Sequence, residues 1–326
     1  MIKTQTKNKP NGLYCSVCGK PQVETPSGPT CVNSHGGADG LTPAELKARA
    51  PKKKGILDQA KPAKEMASRE AWKARVGLFG PSKSGKTLSS TTMPPYYQGK
   101  HKPRLLIDCD GRSQTVAGIP DLEVISVFDP DPKLPKAWNK LEAIKKELWS
   151  LARAGRFPYS VVIEDGGTMM GRYCMSWALL LDPKRGLGGA PAQQHYIPQM
   201  KNFADHVLSM KELPCHYIFN GHLELTENPS DESVLYLPKV IGKTARTEFS
   251  GWFDDIYYTQ RNRGKGGDIV YSWITKGTGK LDFFGSTLNN RGKYWEDPVI
   301  LDLDKDPAGF AYLLDKRFGK EKKDNG

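Results

Sequence analysis

Residues 80–87, Gly80-Pro81-Ser82-Lys83-Ser84-Gly85-Lys86-Thr87, fit the spacing G-x-x-x-x-G-K-[ST] in full. The chemistry such a loop performs is phosphate binding. Its glycines let the backbone curl until successive N–H groups point at a β-phosphate. Lys86 then supplies a point charge to the β and γ oxygens. The Thr87 hydroxyl is placed to ligate Mg²⁺, and a helix starting at the loop adds the positive end of its dipole. All eight residues are therefore expected at the phosphates of ATP. KGTGK (276–280) lacks this spacing and reads as a turn.

Hydrolysis needs carboxylates on neighbouring strands. Two apolar runs end in them. YSVVIED (159–165) closes on Glu164 and Asp165, and LLIDCDGR (105–112) carries Asp108 and Asp110 two residues apart. Asp165 is expected to orient Mg²⁺, and Asp110 to act as base or water-orienting group toward the γ-phosphate. With Lys86 and Glu164 they form the candidate catalytic set. The alternative is that these acids merely end strands at the polar rim of a sheet.

A third constellation is Cys15-x2-Cys18-x12-Cys31-x3-His35, three thiolates and an imidazole that make up a tetrahedral Zn²⁺ set. Gly19 permits the tight turn of a knuckle. Pro21, Pro26, Gly28 and Pro29 forbid a helix between the second and third ligands, so a ribbon-like module is expected. Cys109, Cys174 and Cys215 sit among apolar neighbours and read as buried thiols rather than disulfide partners.

The elements that must position these residues follow from periodicity. ARVGLFG (74–80) is an apolar strand running into the phosphate loop. RLLIDCD, LEVISVF, YSVVIED and HYIFNG are further strands, and their unbroken apolar runs suit a buried parallel sheet. Trp138, Leu141, Ile144, Leu148 and Leu151 share one helix face; Met200, Phe203, Val207 and Leu208 mark another. After residue 234 come VLYLP, DDIYYTQ and DIVYSWI, the last two joined by RNRGKGG as an antiparallel hairpin. The expected organisation is a zinc module (1–40), a basic linker (41–70), an α/β ATPase domain with a mostly parallel sheet (71–318) and a charged tail (319–326).

Charge points to the partner. The net charge is +12, yet residues 1–75 hold 14 Lys/Arg against 6 Asp/Glu, leaving 34 against 30 in the remaining 251 residues. A basic arm ahead of a nearly balanced body suits a polyanion, because each cation at a phosphate releases a condensed counterion; the plain alternative is a solubilising tail. No apolar run approaches the roughly 18–20 residues that span a bilayer. The N-terminal stretch has no secretory pattern, so a cytoplasmic protein without membrane contact is expected.

These motifs resemble the RecA-like P-loop ATPases, and most closely the single-strand annealing and recombination ATPases of bacteriophages, over roughly residues 72–315. Asp108-Cys109-Asp110 falls where that group has an acidic pair, with Asp110 in place of the usual Glu. Asp165-Gly166-Gly167-Thr168 is similar to its Asp-Ser-x-Thr, with Gly166 replacing Ser. LPKVIGKTARTEFSGWFDDIYY resembles its Pro-x-x-x-Gly-Lys stretch and following strand. The resemblance implies a RecA-like fold and a nucleotide contact by His222. It also implies single-stranded DNA as partner, homo-oligomerisation, cooperation with a single-strand-binding protein, and residence in the host cytoplasm. It directs attention to the Gly-rich loop 182–195, with Lys184 and Arg185, as a DNA contact. Arg261, Arg263 and Lys265 on the hairpin form a second candidate patch, and Lys239 and Lys243 are candidates to reach a neighbouring subunit's phosphates. A helicase loader or motor, or an adaptor that holds ATP without turnover and recognises partners through the zinc module, would share the phosphate loop.

Overall fold

Short apolar runs bounded by proline, glycine or acids form the strands, and the chain divides into two compact units, Met1–Pro62 and Ala63–Gly326. The computed structural model describes residues 10–15, 20–25, 28–31, 40–41, 62–131, 133–182, 189–227, 234–240, 248–264, 266–287, 289, 293–302, 305 and 307–319. No helix among them is long and apolar enough to cross a membrane.

In the first unit, strands Gly28–Cys31, Pro21–Thr25, Pro10–Cys15 and Gly40–Leu41 lie in that order in one antiparallel sheet. Tyr14 pairs with Pro21 and Gln22 with Cys31. The backbone thus brings Cys15 and Cys31 to the same end of the sheet, on either side of the strand that begins at Pro21. Cys18 and His35, the other two expected zinc ligands, lie outside the described residues.

The second unit begins at Ala63, and Arg69 donates to Asp315 Oδ1 (2.8 Å) and to the Gly319 carbonyl (3.0 Å), so the residues just before Trp72 belong with this body. Besides a short antiparallel ribbon of Tyr96–Tyr97 and Lys100–His101, its strands, in chain order, are β1 (Arg75–Phe79), β2 (Arg104–Asp108), β3 (Leu122–Ser126), β4 (Val161–Asp165), β5 (His216–Gly221), β6 (Leu223–Glu227), β7 (Val234–Pro238), β8 (Asp255–Arg263), β9 (Ile269–Ile274), β10 (Gly285–Ser286) and β11 (Val299–Leu301). The helices are α1 (Lys86–Ser90), α2 (Ala137–Arg153), α3 (Gly167–Leu180), α4 (Gln193–Met210) and α5 (Gly309–Phe318). The main sheet runs β11-β9-β8-β1-β5-β4-β2-β3, with β10 beside β8. From β8 to β3 the neighbours are parallel, while β9, β10 and β11 are antiparallel additions at the C-terminal side. β6 and β7 form a separate ribbon. The α/β class, the mostly parallel sheet and the C-terminal antiparallel strands are as the sequence predicts.

Alternation along the strands builds two cores. Leu105, Ile107 and Val162 face α2, α3 and α4, where Trp138, Leu141, Leu148, Cys174, Phe203 and Val207 pack. Val76, Leu78, Leu106, Val161 and Ile163 face the opposite layer, filled by Met93, Trp273, Phe310 and Leu313. Each such fully buried side chain stabilises the fold by about 1.5–3 kcal/mol. Burial on both faces explains why these strands read as continuous apolar runs.

α1 is short for a reason visible in its sequence. Ser89, Ser90, Thr91 and Thr92 each donate a hydroxyl to the carbonyl three residues earlier, at 3.1, 2.8, 2.7 and 2.6 Å. Such side chains compete with the helix ladder, and Pro94-Pro95 removes two more donors.

Candidate active site

The C-terminal ends of the parallel strands converge on the phosphate loop. The loop leaves β1 and closes at Gly85, whose φ of 85° is a left-handed conformation that glycine adopts without strain and that turns the chain into α1. β8 backs the loop, through a 2.6 Å hydrogen bond between Ser84 Oγ and Thr259 Oγ1. Lys86 is buried, and its Nζ donates to the carbonyls of Gly80 (2.9 Å) and Pro81 (2.8 Å), which holds the ammonium over the loop. Burial pushes Lys86 down to about 8, against the opposing pull of Asp165 and Asp110.

Asp165 and Glu164 are consecutive on β4, so they point to opposite faces. Asp165 turns toward α1 and accepts a 2.6 Å hydrogen bond from Thr87 Oγ1. Burial raises its carboxyl above the usual range, so a cation at this point would be strongly favoured. A hydroxyl and one carboxylate, completed by phosphate oxygens and water, are the donor set Mg²⁺ accepts. The pair therefore fits the ion, although no cluster of three or more acidic, His or Cys side chains exists among the described residues. Bound Mg²⁺·ATP supplies the polarised γ-phosphate.

Glu164 does not share this pocket. Its carboxylate lies fully buried among α2, α4 and β5, accepting from His206 Nε2 (2.7 Å) and from the Tyr217 hydroxyl. The second His206 nitrogen meets Glu142 Oε1 at 2.7 Å. A catalytic role for Glu164 is thereby replaced by a structural one, and strand parity is the cause. Burial alone would lower His206, but Glu164 and Glu142 outweigh it and raise the imidazole to about 9. A group whose pKa rises on folding lends stability that is fully present below its unfolded value, about 6.5, and that is lost as pH climbs through 9. Denaturant unfolding should therefore show stability declining across that window in the wild type. His206→Ala should cost about 3–5 kcal/mol at neutral pH, because it strands a buried carboxylate, and should flatten this part of the pH profile.

Asp108 and Asp110 also divide their roles. Asp108 is buried and spends its two oxygens on the backbone N–H groups of Asp110 (3.0 Å) and Ser113 (2.8 Å), shaping the turn. Asp110 is left facing the pocket. His222 Nε2 lies 3.6 Å from Asp110 Oδ2, a contact that holds the carboxyl below the ordinary range. The His222 backbone N–H donates to Thr168 Oγ1 (3.3 Å), which anchors the main chain at this residue. An ionised carboxylate beside a ring nitrogen suits orienting an attacking water. Gly166 makes room for this: its φ is 105°, and a Cβ there would come within 2.6 Å of Asp110 Oδ1. Glycine at position 166 is thus matched to the position of Asp110.

Lys83, Ser84, Gly85, Lys86, Thr87, Asp110, Asp165 and His222 line one cavity of about 520 Å³, together with Arg112, Thr115, Arg261 and Tyr271. Pro81, Ser82, Asp110 and His222 border a second, adjoining cavity. Arg261, expected on a DNA patch, stands instead at the phosphate loop, opposite its cross-strand partner Tyr271. Arg263 is exposed on the same hairpin. Lys184, Arg185, Lys243 and Lys265 lie outside the described residues.

Sequence reasoning missed Arg112, Tyr271 and Asn220. Asn220 is the penultimate residue of β5, the strand inserted between the phosphate-loop strand and β4, in register with Asp165. Its Nδ2 donates to Ser90 Oγ (3.2 Å), while its buried Oδ1 has no partner. An asparagine near the end of a buried apolar strand, HYIFNG, is the signal that marks it.

A family model described as AAA domain matches residues 72–305. No curated protein matches the sequence. Among solved structures, a prototypical ATPase from the type III secretion system of pathogenic bacteria is similar, at 14% identity and a TM-score of 0.39. The similarity covers 57% of this chain and 50% of that one, so the chain spans about half the length of that ATPase. The family match extends over well more than half of the sequence and coincides with the body that carries the phosphate loop, Asp165 and Asp110; the chain belongs to the AAA-domain family of P-loop ATPases.

Proposed function

We propose that the protein couples ATP hydrolysis to work on single-stranded DNA, in annealing or recombination. Asp110, seated at the phosphate loop beside His222, favours turnover over an adaptor that only holds ATP. The observation that carries the DNA half is the charge distribution: an N-terminal arm rich in lysine ahead of a nearly balanced ATPase body. The resemblance to bacteriophage annealing ATPases supports the same reading. It brings homo-oligomerisation, a single-strand-binding protein as collaborator, and the cytoplasm of a host cell as the setting. Cys15, Cys18, Cys31 and His35 would hold one structural Zn²⁺ that folds the arm, which is too polar to fold unaided. Metal analysis returning no zinc would remove that module from the account.

The salt dependence of binding tests the arm. Log affinity for a single strand should fall against log salt by about 0.7 for each phosphate neutralised. A chain beginning at Ala63 loses the arm but keeps the body with its own two cores. It should bind single-stranded DNA more weakly and with a shallower slope, while keeping its basal ATP turnover. An unchanged slope would assign binding to the ATPase body alone.

A further inference from the structure

The nucleotide cavity has a neighbour of about 640 Å³. Asp110, Arg112 and His222 line both spaces. The second cavity adds Arg172 from α3 and Lys239 from the segment after β7, so three cations from three separate elements face it against the single acid, Asp110. All three are exposed, and none makes an ion pair with a carboxylate among the described residues. Beside them stands Phe128, 57% exposed, a large ring at the edge of the cavity. Of the phosphate loop only Pro81 and Ser82 reach this space, whereas Lys83, Ser84, Gly85, Lys86 and Thr87 line the first cavity, so the principal phosphate ligands leave Arg172, Lys239 and Phe128 unaccounted for.

Cations without carboxylate partners call for an anion. Their separation on three elements suits a chain of phosphates better than one phosphate group, and an exposed aromatic face beside them suits a base. We propose that this second cavity seats a single-stranded nucleic acid, with phosphates on Arg112, Arg172 and Lys239 and a base stacked on Phe128. The inference rests on the reading above that the protein acts on single strands. It adds where the strand lies: against the Asp110–His222 pair, so that an occupant of one cavity touches groups shared with the other. Binding of strand and of ATP then become linked, and the linkage must be reciprocal.

The test is fluorescence anisotropy of a labelled oligothymidylate with the full chain, across a salt series. The variants are Phe128→Ala and Arg172→Ala, each checked for an unchanged melting temperature and basal ATP turnover. Phe128→Ala should weaken binding roughly tenfold, as loss of one stacking platform does, and leave the salt slope as it is. Arg172→Ala should lower the slope by about 0.7, the value of one phosphate contact. Wild-type affinity and slope in both variants would overturn the placement while leaving single-strand binding standing. Thymidine monophosphate binding as tightly as the oligomer would overturn it in favour of a mononucleotide pocket. A wild-type chain that binds no oligomer at all would overturn the underlying reading and this inference together.

Discussion

Lys86→Ala should lower ATP turnover at least 10²–10³-fold, the loss that follows removal of one well-placed charge stabiliser of a transition state, and should weaken ATP binding as well. Lys86 is the buried cation of the phosphate loop, held by the Gly80 and Pro81 carbonyls. Alanine removes the charge and leaves those carbonyls facing the phosphates. A pH experiment on the wild type reads the same group. Burial brings Lys86 to about 8, so in the nucleotide-free protein it loses its proton as pH rises through that value. ATP needs the charged form, and its affinity should therefore fall above pH 8, with proton uptake on binding that calorimetry in two buffers of different ionisation heat would reveal. Flat affinity across that range, or wild-type turnover in the alanine variant, would take Lys86 out of the site.

Asp110→Asn should spare ATP binding and slow hydrolysis by about 10²–10⁴-fold, the usual contribution of a positioned acid–base group. The substitution keeps the shape that fits against Gly166 and removes the charge that faces His222. The contrast with Asp108 sharpens the expectation. Asp108→Asn would disturb the turn, because both carboxylate oxygens accept backbone N–H groups and an amide can accept at only one of them. A split between kcat and KM separates the two: Asp110→Asn acts on kcat, whereas a loosened turn moves both. Nucleotide binding lost together with turnover in Asp110→Asn would assign that residue a binding role.

Much of this site could be read from residue order alone. The phosphate loop is a local motif: eight consecutive residues carry their own geometry, and the strand before it and the helix after it are local too. The acidic strand ends were legible because continuous apolar runs announce strands buried on both faces. What residue order could not separate was Glu164 from Asp165. Both end the same run, and only strand parity with the sheet in place sends one to Thr87 and the other to His206 and Tyr217. Arg261 and Tyr271 were hidden for a different reason. Their place at the phosphate loop depends on β8 pairing with β1, a contact between segments about 180 residues apart. A hairpin rich in arginine reads as a surface patch until that pairing is known. The arrest of α1 after Ser90 was legible in principle, in its run of four hydroxyl residues and two prolines, but a helix-dipole argument alone passes over it.

Coupling between strand and nucleotide is the centre of the account, and the steady-state rate of ATP hydrolysis by the full chain, with and without single-stranded DNA, measures it directly. With Mg²⁺ present, Asp110 and His222 at the phosphate loop predict a basal rate above that of the Lys86→Ala variant, and single-stranded DNA should raise it. A rate equal to that of Lys86→Ala under both conditions would contradict hydrolysis itself, and a basal rate that DNA leaves unchanged would contradict the coupling.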